Sequence, residues 1–161
     1  MIRRRPPWSE TERARSAEEG NTNSMPRKVL VVDDHPPTRA LIRAILEGDK
    51  NDPFQVVEAG TGGECLKAFD SKGPFELILL DVNLPDMDGY VVCRAIRHQN
   101  RKVPIVFVTA KGDLKDYAAG REAGGDSYLV KPIARAALRS IVNLFSSIAR
   151  TRDAEPSEAK K

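Results

Sequence analysis

The sequence predicts an α/β fold: a single domain built on a doubly wound parallel sheet of five strands, with helices on both sides. Short apolar runs alternate five times with segments whose apolar residues recur at helical spacing, and such alternation is typical of parallel sheets. Some runs, such as Leu77–Leu80, are apolar throughout, as expected for strands buried on both faces. A length of 161 residues fits one domain better than two.

The five predicted strands, β1 to β5, are short, rich in Val, Ile, Leu and Phe, and bounded by Pro, Gly or Asp. In chain order they are predicted at Lys28–Asp33, Phe54–Glu58, Phe75–Asp81, Ile105–Thr109 and Ser127–Val130.

The five predicted helices, α1 to α5, lie between and after these strands. In chain order they are predicted at Thr38–Glu47, Thr61–Ser71, Gly89–Gln99, Leu114–Ala123 and Ile133–Ala149. Proline before α1 and glycine after it are the usual start and stop signals of a helix. The α4 pattern is the weakest because Gly120 lies inside it, and α5 is the longest and most apolar.

Right-handed crossovers with one reversal of winding give the flavodoxin-like strand order 2-1-3-4-5. In such a sheet, ligands bind outside the carboxyl ends of the strands, at the switch point between β1 and β3. The predicted β1 ends at Asp33, followed by Asp34, and β3 ends at Asp81. The fold therefore predicts a ligand site beside these carboxylates.

The ends of the chain differ from its middle. Residues 1–26 and 150–161 are polar and poor in apolar side chains, so we expect a disordered extension and a disordered tail around a domain at 27–149. About a dozen residues after the last helix are too few for another folded unit, so no attached output domain is expected. The alternative is a domain cut from a longer protein, with 150–161 as the start of a linker.

Composition and charge argue against several classes of protein. The net charge of +3 is spread along the chain without a basic arm, which argues against nucleic-acid binding. No apolar stretch reaches the roughly 18 residues of a membrane span, and no signal peptide is present, so a soluble cytoplasmic protein is expected. Cys65 and Cys93, the two cysteines, fit reduced thiols at or near the core.

Four charged residues follow apolar runs and carry the chemical prediction: Asp33, Asp34, Asp81 and Lys131. Three crowded carboxylates repel one another unless a hard divalent cation lies between them, and Mg²⁺ takes oxygen ligands of this kind. Asp81 is the candidate nucleophile, because a carboxylate can attack phosphorus to give an acyl phosphate. Lys131 would balance the phosphoryl charge.

Neighbouring residues complete the predicted site. A loop after Asp81 would turn the backbone carbonyl of Asn83 inward as a further metal ligand. Thr109 can donate its hydroxyl to a phosphoryl oxygen, with the small Ala110 leaving room. The bond between Lys131 and Pro132 can be cis.

Nearby polar residues have plainer interpretations. Asp88 is predicted to cap α3, and Gly89 to let that helix begin close to the sheet. The segment Thr61-Gly62-Gly63-Glu64 is interpreted as a turn into α2 and not as a phosphate loop. His35, Arg39 and His98 have no partner that the sequence names and are expected to be surface or near-surface groups.

These motifs together resemble the receiver domain of the two-component response-regulator family, in particular a single-domain receiver like the chemotaxis regulator. The resemblance covers 27–149 and rests on four segments: Val31-Val32-Asp33-Asp34-His35-Pro36, Leu79-Leu80-Asp81 with the loop to Gly89, Val108-Thr109-Ala110, and Gly125 to Pro132 with Tyr128 and Lys131.

The resemblance implies a function and a set of roles. Asp81 would take phosphate from a sensor histidine kinase or histidine phosphotransfer protein, with Thr109 and Lys131 on the phosphoryl group. Mg²⁺ would be held by Asp33, Asp34, Asp81 and the Asn83 carbonyl. Thr109 and Tyr128 would move together and reshape the α4–β5–α5 face.

The expected partners follow from these roles. The α4–β5–α5 face would contact an unknown downstream protein, and the chain would be a monomer or a weak dimer through that face. The chain would act as a switch that catalyses only its own phosphorylation and dephosphorylation, not as an enzyme on other substrates.

Two other classes of protein share part of this pattern. A phosphatase-type enzyme with an Asp nucleophile and Mg²⁺ usually needs a second acid two residues later, where Asn83 stands. A flavin-binding electron carrier shares the fold, but its phosphate loop after β1 would need hydroxyls and glycines in place of Asp33, Asp34 and His35.

Overall fold

The computed structural model describes residues 27–154 except 111 and 113. The strands are β1 Lys28–Val32, β2 Gln55–Ala59, β3 Leu77–Leu80, β4 Ile105–Thr109 and β5 Ser127–Val130. The helices, numbered here in chain order, are α1 Pro36–Glu47, α2 Gly62–Lys72, α3 Gly89–Gln99, α4 Leu114–Ala123 and α5 Arg135–Ala154.

The five strands form one parallel sheet in the order β2-β1-β3-β4-β5, which confirms the predicted fold class and topology. Successive strand residues point to opposite faces, so β1 sends Leu30 and Val32 to one side and Val29 and Val31 to the other. Helices α2, α3 and α4 cover the first side, and α1 and α5 cover the second. The sheet is therefore buried on both faces, as its unbroken apolar runs predict.

Local signals place the helix starts. The Thr61 hydroxyl accepts a hydrogen bond from the Glu64 amide at 3.0 Å, which confirms a turn into α2. The Asp88 carboxylate accepts from the Tyr90 amide at 2.8 Å and caps α3, also as predicted.

The two cysteines, Cys65 and Cys93, are buried free thiols, and burial raises the pKa of Cys65 to about 12.

The last helix differs from its predicted range. It begins at Arg135 and continues to Ala154, so residues 150–154, which the sequence assigned to a tail, are helical. Arg150 forms an ion pair with Glu76, and the Thr151 hydroxyl donates to the Ser147 carbonyl inside the helix. Arg150 and Thr151 are polar and exposed, so the apolar pattern of the sequence ends before the helix does. The predicted extension 1–26 and the end of the predicted tail, 155–161, lie outside the described residues.

A polar cluster closes the amino edge of the sheet, opposite the carboxyl ends of the strands. Arg27 forms ion pairs with Asp52 and Glu76 and donates to the Ser146 hydroxyl of α5 at 2.8 Å. Its guanidinium lies 4.0 Å from the ring centroid of Phe54. Arg27 therefore ties the start of β1 to the middle of α5.

Within the part of the chain that the structure describes, no helix is long and apolar enough to cross a bilayer.

Candidate functional site

Three carboxylates meet at the carboxyl edge of the sheet. In the parallel pair of β1 and β3, Val32 lies beside Leu80, so the next residues, Asp33 and Asp81, are neighbours. Ligand oxygens of Asp33, Asp34 and Asp81 lie within 4.8 Å of one another, and we call these three residues the acid cluster. Asp33 and Asp81 are buried and Asp34 is exposed, so the cluster reaches solvent at Asp34.

Lys131 enters the acid cluster from the end of β5. Its Nζ atom lies 2.6 Å from Asp33 Oδ2 and 2.9 Å from Asp81 Oδ2. The Lys131 amide donates to the Thr109 carbonyl at 2.8 Å, which extends the pairing of β4 with β5 by one residue. The bond between Lys131 and Pro132 is cis, as the sequence allowed. The structure thus brings together the four charged residues that follow apolar runs.

The electrostatics of the acid cluster are those of a crowded, partly desolvated site. Burial raises the pKa of Asp81 above its ordinary value, although the hydrogen bonds from Lys131 and from the Asn83 amide oppose this. Burial by itself would lower the pKa of Lys131, but its hydrogen bonds to Asp33 and Asp81 outweigh that effect and raise it. Lys131 is therefore a permanent cation beside these carboxylates at neutral pH.

The donor set suits a hard divalent cation. Asp33 Oδ2 is buried, and its contact among the described residues is the Lys131 ammonium. The three carboxylates supply only oxygen ligands, which are the ligands that Mg²⁺ prefers. The residues present therefore fit the magnesium ion that the sequence predicts.

The loop that follows Asp81 is short and tightly held. The Asn83 amide donates to Asp81 Oδ1 at 3.1 Å, and Asn83 pairs with Asp88 through an isolated antiparallel bridge. The Gly89 amide donates to the Val82 carbonyl at 2.7 Å. A Cβ atom on Gly89 would lie 2.2 Å from the Asp81 carbonyl oxygen, so only glycine lets α3 begin this close to the strand. That agrees with the role predicted for Gly89.

The two predicted switch residues lie on the same side of the sheet. Thr109 is fully buried at the end of β4, and Phe107, two residues earlier, points to the same face. Tyr128 is the β5 neighbour of Phe107, and the two ring centroids are 5.2 Å apart. The Tyr128 ring points inward between α3 and α4, where burial raises its pKa strongly.

The sequence did not predict the contacts of three residues near the site. The Arg39 guanidinium donates to the Asp33 carbonyl at 2.5 Å, and its Nε atom lies 3.4 Å from Glu58. The Asp86 carboxylate accepts from the amides of Gly62 and Gly63, both at 2.8 Å, at the start of α2. The Tyr90 hydroxyl oxygen lies 2.9 Å from that of Tyr128.

Of the three residues expected at or near the surface, Arg39 is partly exposed and has the partners given above, which the sequence did not name. His35 is exposed and hydrogen-bonds through Nδ1 to the Thr38 hydroxyl at 2.8 Å. His98 is exposed on α3. One sequence feature could have indicated the contact of Arg39 with Asp33: Arg39 lies in the first turns of a helix that follows Asp33 and Asp34.

Comparison with known proteins identifies the family. The sequence matches the response regulator receiver domain over residues 29–143, and the chain belongs to this family. Receiver domains are signalling proteins of two-component systems, and phosphorylation and Mg²⁺ binding are general properties of the family. This membership decides against the phosphatase and the flavin carrier as the class of the protein.

Two curated relatives are full-length regulators. The alkaline phosphatase synthesis transcriptional regulatory protein PhoP of Bacillus subtilis is 36% identical over 137 residues, which are 85% of this chain and 55% of that protein. The DNA-binding response regulator MtrA of Mycolicibacterium smegmatis is 36% identical over 136 residues, 84% of this chain and 56% of that protein. The chain thus spans about half the length of these relatives. Their names concern transcription and DNA, so the expected absence of nucleic-acid contact stays a prediction.

Solved structures share the fold over nearly their whole length. A CheY-like receiver domain protein from Methanospirillum hungatei superimposes with a TM-score of 0.73 at 25% identity, covering 80% of this chain and 99% of that one. The chemotaxis protein CheY4 of Vibrio cholerae gives a TM-score of 0.68 at 30% identity, covering 75% of this chain and 99% of that one.

Proposed function

We propose that Asp81 accepts a phosphoryl group from a phosphohistidine of a sensor histidine kinase or a histidine phosphotransfer protein. In this step the bond between phosphorus and the histidine nitrogen breaks, the nitrogen keeps the electron pair, and a bond forms between phosphorus and an Asp81 oxygen. The observation that carries the proposal is the contact of one ammonium, Lys131, with the carboxylates of both Asp81 and Asp33.

Each residue of the site has a role in this transfer. The Asn83 amide and Lys131 hold one oxygen each of the Asp81 carboxylate, and so orient the nucleophile. Lys131 offsets the charge on the phosphoryl oxygens, as a compact ammonium does at phosphate groups. The Thr109 hydroxyl donates to a phosphoryl oxygen. Attack by water on the acyl phosphate then restores the free carboxylate, so the protein acts on its own phosphate and not on other substrates.

Mg²⁺ belongs to the same proposal. Asp33, Asp34, Asp81 and the Asn83 backbone carbonyl would hold it, in agreement with the all-oxygen donor set of the acid cluster. When bound, the ion neutralises negative charge on the phosphoryl oxygens.

The output of the switch is proposed to be a change in protein contacts. Thr109 and Tyr128 would move together on phosphorylation and shift the population of the α4–β5–α5 face between two states. Tyr117 on α4 and Val130 on β5 are exposed apolar side chains of this face, which suits a downstream protein target or a weak dimer. Residues 26–149 carry 17 basic and 16 acidic groups, a balance that suits protein partners better than nucleic acid.

Acetyl phosphate, a small-molecule phosphoryl donor, tests the assignment directly. We expect the wild-type protein with Mg²⁺ to gain the mass of one phosphoryl group by intact mass spectrometry, and the Asp81→Asn variant to gain none. The matched control is Asp70→Asn, the same change at an exposed carboxylate of α2, which should still be phosphorylated. Incorporation of one phosphate by the Asp81→Asn variant would refute the proposal.

A further inference from the structure

The start of α2 is bonded to the loop that follows Asp81. Both oxygens of the Asp86 carboxylate accept backbone hydrogen bonds there, Oδ1 from the Gly62 amide and Oδ2 from the Gly63 amide, each at 2.8 Å. Hydrogen bonds from amides to an ionised carboxylate are stronger than those between neutral groups. Asp86 therefore fastens its loop, residues 82–88, to a helix that lies earlier in the chain.

The helix α2 also has capping bonds from its own residues. The Thr61 hydroxyl accepts from the Glu64 amide at 3.0 Å, and the Glu64 carboxylate accepts from the Gly60 amide at 2.7 Å. The first amides of a helix have no acceptor within the helix, and those of Gly62 and Gly63 take theirs from the loop. The contact between loop and helix is therefore separate from the local cap.

The residue after Asp86 packs against the same glycine. A Cβ atom on Gly62 would lie 2.4 Å from Met87 Cγ and 2.9 Å from a methyl carbon of Val92 on α3, so the glycine leaves the space that Met87 fills. Gly62 is buried, and Met87 packs against the core on this side of the sheet. The loop thus meets α2 through a polar and an apolar contact at one place.

The other end of this loop faces the acid cluster. Asn83 lies three residues before Asp86, its amide donates to Asp81 Oδ1 at 3.1 Å, and its backbone carbonyl is the fourth metal ligand of the proposed function. Between them, Leu84 packs against the core and the φ angle of Pro85 is fixed by its ring. Little backbone freedom therefore separates the metal ligand from the residue that is bonded to α2.

We propose that Asp86 is a positioning residue for the metal site: by holding the loop against α2 it fixes the Asn83 carbonyl and raises the affinity of the acid cluster for Mg²⁺. The proposal rests on the proposed function, in which that carbonyl is a ligand. A ligand held in its bound position raises affinity because less of the loop must be ordered when the ion binds. By thermodynamic linkage, Mg²⁺ in turn stabilises the bonds between Asp86 and α2.

Isothermal titration of the full chain with Mg²⁺ provides the first test. We expect Asp86→Ala to bind Mg²⁺ about fivefold more weakly than wild type, the lower end of the coupling between two sites in a protein. Wild-type affinity in Asp86→Ala would overturn the proposal.

Two control variants separate positioning from other effects of the substitution. Thr61→Ala removes a hydrogen bond at the start of α2 that does not involve the loop. Glu64→Gln removes a negative charge from the same turn but retains an oxygen that can accept from the Gly60 amide. Both should bind Mg²⁺ like wild type. A loss in either control as large as that in Asp86→Ala would overturn the proposal, because helix stability or charge alone would then explain it.

Amide hydrogen exchange of the wild-type protein, followed by NMR, provides a test without a substitution. Mg²⁺ should slow the exchange of the Gly62 and Gly63 amides more than that of the Cys65 amide, which donates within α2 to the Thr61 carbonyl at 3.0 Å. Equal slowing of all three amides would overturn the role of Asp86 alone. Absence of Mg²⁺ binding by the wild type would instead overturn the magnesium site of the proposed function, and this inference with it.

Discussion

The Arg39 guanidinium donates to the main-chain carbonyl of Asp33 at 2.5 Å and faces the Glu58 carboxylate of β2. Arg39 thus fixes the backbone of an acid-cluster residue from the first turns of α1. Gly60 leaves room for this arrangement, because a Cβ atom there would lie 3.3 Å from a guanidinium nitrogen of Arg39.

The first prediction concerns this contact. Arg39→Ala should weaken Mg²⁺ binding about tenfold, the lower end of the effect of losing a group that orients metal ligands. Isothermal titration with Mg²⁺ measures the change. Arg43→Ala is the matched control. Arg43 also forms an ion pair with Glu58, but its guanidinium donates to the Val56 carbonyl and not to the Asp33 carbonyl. Equal losses in the two variants would show that the contact with Asp33 is not responsible.

The second prediction concerns Lys131. In Lys131→Met, the buried carboxylates of Asp33 and Asp81 lose their common cation, and without Mg²⁺ the free energy of unfolding should fall by about 3 kcal/mol, the lower end for a broken buried pair, because Lys131 is partly exposed. Mg²⁺ should then stabilise the variant more than it stabilises wild type, because no ammonium competes with it for the carboxylates. Thermal unfolding with Mg²⁺ and with EDTA measures both effects. Lys131→Arg retains the charge and should lose less; an equal stabilisation by Mg²⁺ in wild type and Lys131→Met would contradict the argument.

The third prediction concerns the start of α3. Gly89→Ala places a Cβ atom against the backbone of Asp81 and Val82, which cannot move away without opening the strand end. We expect a loss of about 3 kcal/mol in the free energy of unfolding, in the range of strong backbone effects, and slower phosphorylation by acetyl phosphate. Gly63→Ala is the control, since its nearest contact would be an ordinary 3.4 Å to Asp86. Denaturant unfolding measures the free energy of unfolding of both variants. Similar values would show that the close approach of Gly89 to the Asp81 backbone does not contribute to stability.

The fourth prediction concerns pH. The hydrogen bonds from the amides of Gly63 and Gly62 hold the pKa of Asp86 below its ordinary value of 3.8. A carboxyl group whose pKa is lower in the folded state stabilises the fold above its unfolded pKa, and this contribution is lost as the pH falls through the folded pKa. Asp86→Ala should therefore lower the melting temperature by a few degrees at neutral pH.

This difference from wild type should shrink as the solution is acidified below about pH 4. Thermal unfolding across this pH range measures it. Asp70→Ala, at an exposed carboxylate of α2, the helix whose first amides Asp86 accepts from, should show no such trend. If the difference in melting temperature between wild type and Asp86→Ala is constant with pH, the ionised Asp86 carboxylate does not stabilise the start of α2.

The arrangement of the sheet and the meeting of its charged residues could be predicted because both follow from periodicity. Apolar runs that alternate with helical patterns define the strand order, and residues that directly follow β1 and β3 must lie at one edge of a parallel sheet. Asp33, Asp81 and Lys131 are placed by this rule alone. Their chemical roles remain the proposal made above.

Other contacts could not be predicted because they depend on side-chain directions across distant elements. The bond from Gly62 to Asp86 spans 24 residues, and that between Tyr90 and Tyr128 spans 38. No spacing in the sequence distinguishes Tyr90 from any other helix residue that packs on a core. The end of α5 was missed for a different reason, since residues 150–154 lack the apolar pattern that marks a buried helix.

The Arg27 bond to Ser146 has a practical consequence for binding assays on immobilised protein. It holds the start of β1 and the middle of α5 together at the amino edge of the sheet, on the far side from the carboxyl edge where the strands end. A tether chemically coupled near Arg150, whose side chain lies beside Glu76, would anchor the molecule by that far side. The carboxylates and the Lys131 amine would then face the flowing solution, open to any kinase passed over the sensor chip.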